Sequence, residues 1–477
     1  MSIANYNVSC KQHSQILICV QSHGNISHTD FEEALSRIKK HEHLTVADAG
    51  RKINVRFEVD VPANNSEWGF FQPHRRVMGF IMIAGCSTAM DVALLHEVFQ
   101  KKKETLADFI FDARCFVFGM ENSLIQQRNA AMLQYPDVKT WKTCDIDIEE
   151  FLTSVFYVLE SKRLHIVGDK SDKLPLLTAP FERQQVSSYD SDSRSYRKKC
   201  AGRWKKHLAD ISLLSGLTLD ALQNYHSALD MLVSVNDQVW VGGALEGLCV
   251  TSAIVWYSDE DHNQSEAANL ASSKQVDLNA LDPRNLVSSK IWNSATMANL
   301  LKYCIQTPED FVDRYKEAVI NYSRCKHLGV VELEACIKAT KVMAIMKKSM
   351  EASEFLQNAV YITLNVTEEE RITRYSIVAD LYRAINFHRK SAFYKRVAAM
   401  QCVAPNLNKP NWQKCYQLLQ HSLKGYHLNV LGDENKSSLD TELSDQVKYG
   451  WPQVRLRVLH ELVFSSRRLG KNKMAVR

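Results

Sequence analysis

Several things are missing from this sequence, and each absence removes a class of function. The 12 cysteines are scattered, and no C-x-x-C pair occurs among them. That spacing excludes paired zinc ligands and argues against a disulfide framework, leaving reduced, mostly buried thiols of a cytosolic chain as the expectation. Excess charge is missing too. The formal net charge is +5 and the pI about 8.5, too mild a balance to point to nucleic acid or to an anionic membrane. No stretch approaches the roughly 18 uninterrupted apolar residues of a membrane span, and residues 1–11 lack the apolar core of a signal peptide.

Catalytic patterns are equally scarce. The stretch from Gly79 to Thr88 places two glycines after an apolar run, but it has no lysine and the wrong glycine spacing for a phosphate loop. His96-Glu97 and His460-Glu461 each begin like a zincin helix, yet Gln100 and Phe464 stand where the second histidine belongs. His41-Glu42-His43 reads as exposed charge at a helix end rather than as metal ligands. No Gly-x-Ser-x-Gly elbow occurs, and no carboxylate pair is singled out by spacing. The expectation is therefore a protein that is not an enzyme, with no cofactor and no metal.

What is present falls into blocks. Residues 1–165 alternate apolar runs of strand length, at 15–20, 53–59, 77–83 and 114–119, with helical patterns at 30–41, 90–103 and 147–162. Strands apolar throughout suit a sheet covered on both faces, so an α/β domain is expected here. Residues 166–193, with Pro175, Pro180 and the polar run 187–193, read as a linker: a solvated loop or a phosphorylation segment. Helical hairpins start at 194–257, where Gly242, Gly243 and Gly247 suggest close helix packing. Residues 258–306 read as a polar insertion, and 432–446 as a second polar loop.

The stretch 307–405 carries five amphipathic helices in close succession. Thr307-Pro308-Glu309-Asp310 announces the first, with a capping hydroxyl, a proline suited to the first turn and two carboxylates that offset the dipole. Thr367 and Glu370 announce the fourth in the same way. Apolar positions at three-and-four spacing mark one buried face in each, including Tyr375 in the fourth and Ala392, Phe393, Val397 and Met400 in the fifth. Faces pairing small with aromatic residues recur about every 40 residues, the range of helix-hairpin repeats. The fold class expected is α+β multidomain: an α/β domain followed, over 307–477, by a tetratricopeptide-like α-solenoid that ends without a capping repeat.

The densest charge lies at Arg194, Arg197, Lys198, Lys199, Arg203, Lys205 and Lys206. On one helix these residues spread around most of the circumference. Two readings stand: a solvated amphipathic face, or a docking patch for an acidic partner or anionic membrane that uses Arg197, Lys198, Lys199, Arg203, Lys205 and Lys206.

Specific strings add a resemblance. Glu67-Trp68-Gly69 with Phe71-Gln72, Val158-Leu159-Glu160-Ser161-Lys162-Arg163-Leu164, Ala244-Leu245-Glu246-Gly247-Leu248-Cys249 and Val331-Glu332-Leu333-Glu334-Ala335-Cys336 resemble the Trs120 family, subunit 9 of the trafficking protein particle (TRAPP) complex. The likeness runs from the first strand to the last helix and is closest over 329–405. It implies a non-catalytic scaffold subunit of the TRAPP II vesicle-tethering assembly, which promotes nucleotide exchange on Rab GTPases. The implied partners are other TRAPP subunits and, indirectly, Rab GTPases and Golgi and endosome membranes. The implied location is cytoplasmic, peripheral to the trans-Golgi network and endosomes. Vertebrate members are also linked to kinases of the NF-κB pathway, which gives a signalling adaptor as the alternative. The family has no catalytic motif to transfer. Its members are longer and continue the helical region into β-sandwich modules, so the solenoid here is expected to be truncated.

Overall fold

A computed structural model describes residues 4–59, 61, 67–86, 88–119, 131–135, 144–168, 175–182, 193–257, 294–325, 327–407, 409–426 and 452–470. The polar run at 187–192, most of the insertion at 258–293 and the loop at 432–446 lie outside them. Contacts divide the chain into two compact units, one made of 1–3 and 9–328, the other of 4–8 and 329–477. The division falls at 328/329 rather than at the expected linker, because the helices that follow the sheet share its unit.

The first unit begins with a six-stranded sheet in the order β2-β3-β1-β4-β5-β6. Its strands are β1 (Gln15–Gly24), β2 (His43–Val46), β3 (Arg51–Val59), β4 (Val77–Gly85), β5 (Asp112–Phe118) and β6 (Met132–Tyr135). All neighbours are parallel except β2 and β3, which form an antiparallel hairpin. Three helices cover the faces: α1 (His28–Ile38), α2 (Ala89–Leu106) and α3 (Cys144–Gly168). Strand side chains alternate sides, and β1 shows it plainly. Ile16, Ile18 and Val20 join Phe31 and Leu35 of α1 and Phe151 and Val155 of α3 in one core. Leu17 and Cys19 join Leu95 and Phe99 of α2 in the other. Arg51 of β3 makes a bidentate pair with Glu160 of α3 at 2.8 and 3.0 Å, and Arg163 grips the same carboxylate.

Helices α4 (Arg194–Leu214), α5 (Thr218–Ser234), α6 (Gln238–Trp256), α7 (Ser294–Tyr303) and α8 (Pro308–Ser323) complete this unit. α6 is long and apolar enough to cross a membrane by length and composition, but 78% of the qualifying window is buried. It is a core helix that packs against α5 and α8. Its glycines have the role expected of them: a Cβ on Gly247 would lie 2.3 Å from the Tyr225 ring, and one on Gly242 would lie 2.9 Å from Tyr322. The polar insertion reads differently at its end. Residues 294–303 are helical, and Leu300, Cys304 and Ile305 are buried. Trp256 donates to the Ile305 carbonyl at 2.8 Å, so this stretch packs although its sequence is only weakly patterned.

The second unit contains α9 (Gly329–Ile345), α10 (Ser349–Tyr361), α11 (Glu368–Ala384), α12 (His388–Gln401), α13 (Trp412–Ser422) and α14 (Pro452–Arg468). Thr307 on α8 and Thr367 on α11 cap as expected, accepting from the amides of Asp310 and Glu370. α12 departs from the expected face. Phe393 is 49% exposed, and the inward positions are Ala392, Lys395, Ala398 and Ala399. Small residues are required there: a Cβ on Gly425 would stand 2.7 Å from the Cβ of Ala392, a spacing that excludes a ring. In α11 Arg374 is buried in place of Tyr375, and its guanidinium satisfies the last carbonyls of α10 at Val360 (3.2 Å) and Ile362 (2.7 Å).

One turn recurs through both units. Gly216, Asn236, Lys347 and Asn386 all have positive φ, at 75°, 53°, 58° and 66°. Each is followed by an amide that reaches back to the carbonyl five residues earlier: Leu217 to Ser212, Asp237 to Leu232, Lys348 to Met343 and Phe387 to Tyr382. These are Schellman turns, and each reverses the chain into the next helix of a hairpin.

Candidate partner-binding surfaces

The basic helix is not one surface. Of the residues expected to form a patch on α4, Arg203 is 1% exposed and Lys206 3%. Both belong to the interior, and neither is available to a partner in this fold. Arg203 donates to Glu182 from Nη1 and Nη2, at 2.9 and 2.7 Å, and to Asp237 from Nε and the same Nη2, at 2.7 and 3.1 Å. It lies over the Trp240 ring at 4.7 Å, while Trp240 donates to Glu182. Lys206 donates to Asp210 at 2.7 Å and to the Phe71 carbonyl. Burial pushes the Asp210 carboxyl up despite Lys206 beside it. Tyr225 donates to the same carboxylate at 2.6 Å, and Tyr322 donates to Glu246 at 2.7 Å. His207 completes the cluster with its Nδ1 3.2 Å from the Phe70 carbonyl. Several strings that carry the family resemblance converge here, since Trp68, Phe71 and Gly247 all pack into this cluster. Lys199 is half-buried, 3.7 Å from Asp237, and Lys205 reaches Asn224 at 3.4 Å. Exposed basic charge on α4 is confined to Arg194, Arg197 and Lys198.

A doubly wound sheet holds ligands in the crevice outside its strand carboxyl ends, where the strand order reverses. In this chain that place lies between β1 and β4, and backbone fills it. Gly24 has φ 71°, and a Cβ on it would meet the Gly85 carbonyl oxygen at 2.9 Å. The Asn25 amide donates to that oxygen at 3.3 Å. The helix N-termini facing the edge carry their own caps: Ser27 accepts from Asp30, and Thr88 forms a reciprocal capping box with Asp91. Gly79, the other glycine of the apparent phosphate loop, sits at a bulge where β4 gains one residue against β1. A Cβ there would stand 2.6 Å from Ile18 and 2.8 Å from Phe151, so this glycine answers to packing. His41 at the helix end pairs with Asp145 at 2.9 Å, and His43 with Asn54.

Large apolar side chains do face solvent. In the second unit Met350 and Tyr361 are 69% and 80% exposed on α10, near Phe393 in type if not in sequence. Tyr375, Tyr394 and Tyr382 form a stacked series, with ring centroids 6.2 and 5.4 Å apart. On the first unit Met90 and Leu94 are exposed one turn apart on α2. Aromatic side chains of this kind supply binding hot spots when a partner covers them.

Hairpins joined by one repeated turn, a ligand crevice closed by backbone and polar residues drawn inward together define a helical-repeat protein that also carries an α/β sheet. Its family is shown by comparison. Residues 159–268 match the family model described as Trs120/TRAPPC9, N-terminal domain, and residues 288–477 match Trs120/TRAPPC9 TPR. Trafficking protein particle complex subunit 9 of Homo sapiens is 43% identical over the whole chain, and its Bos taurus counterpart is 43% identical as well. The chain spans 42% of the length of these relatives. An Arabidopsis thaliana protein, Trafficking protein particle complex II-specific subunit 120 homolog, is 21% identical over 85% of the chain and 32% of its own length. The chain belongs to the Trs120/TRAPPC9 family of TRAPP complex subunits.

Proposed function

We propose that the chain is part of a non-catalytic scaffold subunit of a TRAPP II-type tethering complex, in which it holds other TRAPP subunits so that they can promote nucleotide exchange on a Rab GTPase. The carrying observation is the 43% identity to subunit 9 along the entire chain. The II-specific name of the plant relative supports the assignment to the second form of the complex. The geometry agrees in kind. Helical hairpins present broad surfaces, and stable contacts of this type bury roughly 1,200–2,000 Å² without acid–base chemistry. The proposed location is cytoplasmic, peripheral to trans-Golgi and endosome membranes.

The test is affinity purification of the tagged protein from cytosol, with mass spectrometry of what remains bound. Recovery of small TRAPP subunits is expected, as is slower exchange on a Rab GTPase when the subunit is depleted from the complex. Recovery of NF-κB pathway kinases without TRAPP subunits would replace the scaffold by an adaptor.

A further inference from the structure

Residues 4–8 belong to the second unit rather than to the first, which contains the residues that follow them. Their burial alternates: Ala4, Tyr6 and Val8 are 5%, 7% and 4% exposed, while Asn7 faces solvent. The Asn7 amide donates to the Asn5 side chain at 3.0 Å, a local turn that centres the segment on Tyr6. Three polar contacts come from helices of the solenoid. Glu334 of α9, itself 1% exposed, accepts from the Asn5 amide at 2.8 Å. Lys341 of α9 donates to the Val8 carbonyl at 2.6 Å. Tyr6 donates its hydroxyl to Glu370 of α11 at 3.3 Å, and burial first, then Glu370, raise that phenol so that it keeps its proton.

The arrangement has the marks of peptide recognition. A carboxylate takes a backbone N–H at one end and an ammonium takes a backbone C=O at the other, so the chain direction is fixed. The two stand about 10.5 Å apart, seven residues along one helix. Alternate side chains enter the wall between them, as they do when an extended or turn-bearing peptide is bound. A segment held by a few polar contacts and three buried side chains is among the parts of a protein that open locally before the fold does.

We propose that the groove formed by Glu334, Lys341, Glu370 and the neighbouring walls of α9 and α11 is a peptide-binding site, filled in cis by residues 4–8, that takes a partner segment of the same chemistry when they leave. The occupant is a short turn-forming peptide with a central tyrosine and an apolar residue two positions to either side. Residues 4–8 are then a built-in competitor, and the groove opens only when they are withdrawn.

The probe is a fluorescein-labelled peptide of residues 3–9, titrated by anisotropy into the full chain and into a Tyr6→Ala/Val8→Ser variant. Little binding is expected to the wild-type chain, because the tethered segment competes at millimolar effective concentration. The variant is expected to bind saturably, to release the probe to unlabelled peptide, and to lose about tenfold in affinity when Lys341→Met removes one charge-assisted contact. A folded variant that does not bind overturns the proposal, as does a wild-type chain that binds equally well. Should the double variant misfold, chymotrypsin cleavage after Tyr6 is followed in Lys341→Met alone. Cleavage several-fold faster than in the wild-type chain, with an unchanged melting temperature, supports the groove, and unchanged cleavage overturns it.

Discussion

His207 shows how much one buried side chain decides. Burial, and then the charge of Lys206, hold its imidazole down at about 3, against about 6.5 for a free histidine. The sign follows from proton binding. Between those values the unfolded chain takes up a proton that the folded chain refuses, so stability falls as pH drops below about 6.5. The slope is at most about 1.4 kcal/mol per pH unit for this one group. Glu160, held at about 2 mainly by its hydrogen bond to Arg163, begins to matter only at lower pH, while Asp210 and Glu332, pushed up by burial, act with the opposite sign. The histidine is therefore read from the difference between the wild-type chain and a His207 variant over the window from pH 7 to 5. Urea midpoints are expected to fall across that window in the wild-type chain and to fall less in His207→Gln, which still offers a donor to the Phe70 carbonyl. Arg203 sets a harsher case. Arg203→Met leaves the buried Asp237 and the half-buried Glu182 without their shared cation, and a loss of roughly 3–5 kcal/mol is expected. The measurement is urea unfolding of both chains at pH 7. A loss below about 1 kcal/mol would mean that solvent replaces the guanidinium, as it does for surface pairs.

Elements were legible in proportion to how locally they are specified. Thr307 and Thr367 cap through residues three positions on, and β1 from Ile16 to Val20 and β4 from Val77 to Gly85 are runs without a charged or polar side chain, so sequence was enough to expect them. β2 and β6 are four-residue edge strands, too short for a periodic signal, and neither was anticipated. The burial of Arg203 and Lys206 was hidden for another reason. The partners of Arg203 lie 21 and 34 residues away, while a helix rich in Lys and Arg reads the same whether it faces water or a buried carboxylate. Lys347 was hidden because nothing local marks a lysine as the left-handed residue of a Schellman turn. Gly216 fills the equivalent place between α4 and α5, where a Cβ would stand 2.7 Å from the Lys52 carbonyl oxygen. A left-handed residue other than glycine costs about 1 kcal/mol, so Lys347→Gly is expected to stabilise the chain by up to that amount. Gly216→Ala should destabilise it by more, through strain and collision together. Thermal melts of the two variants check both signs, and a destabilising Lys347→Gly would show that the lysine side chain contributes more than its backbone strain removes.

At the scale of the molecule, the polar residues that seemed made for a partner turn inward, and large apolar residues stay outside. Tyr361 and Phe393 on the second unit are 80% and 49% exposed, and neither fills a core. Met90 and Leu94 on α2 are exposed at 80% and 63%. Substituting exposed positions changes stability little, usually within about 0.5 kcal/mol, so each pair can be made polar without touching the fold. Hot spots favour aromatic side chains on preformed surfaces, and repeat arrays bind through the faces their hairpins align. Tyr361→Asp/Phe393→Asp is therefore expected to cut recovery of TRAPP subunits at least tenfold with an unchanged melting temperature, while Met90→Asp/Leu94→Asp leaves recovery intact. The reverse pattern would move docking to the sheet-bearing unit. Full recovery with both variants would place it on neither apolar face, and leave the exposed basic residues Arg194, Arg197 and Lys198 as the next surface to reverse in charge.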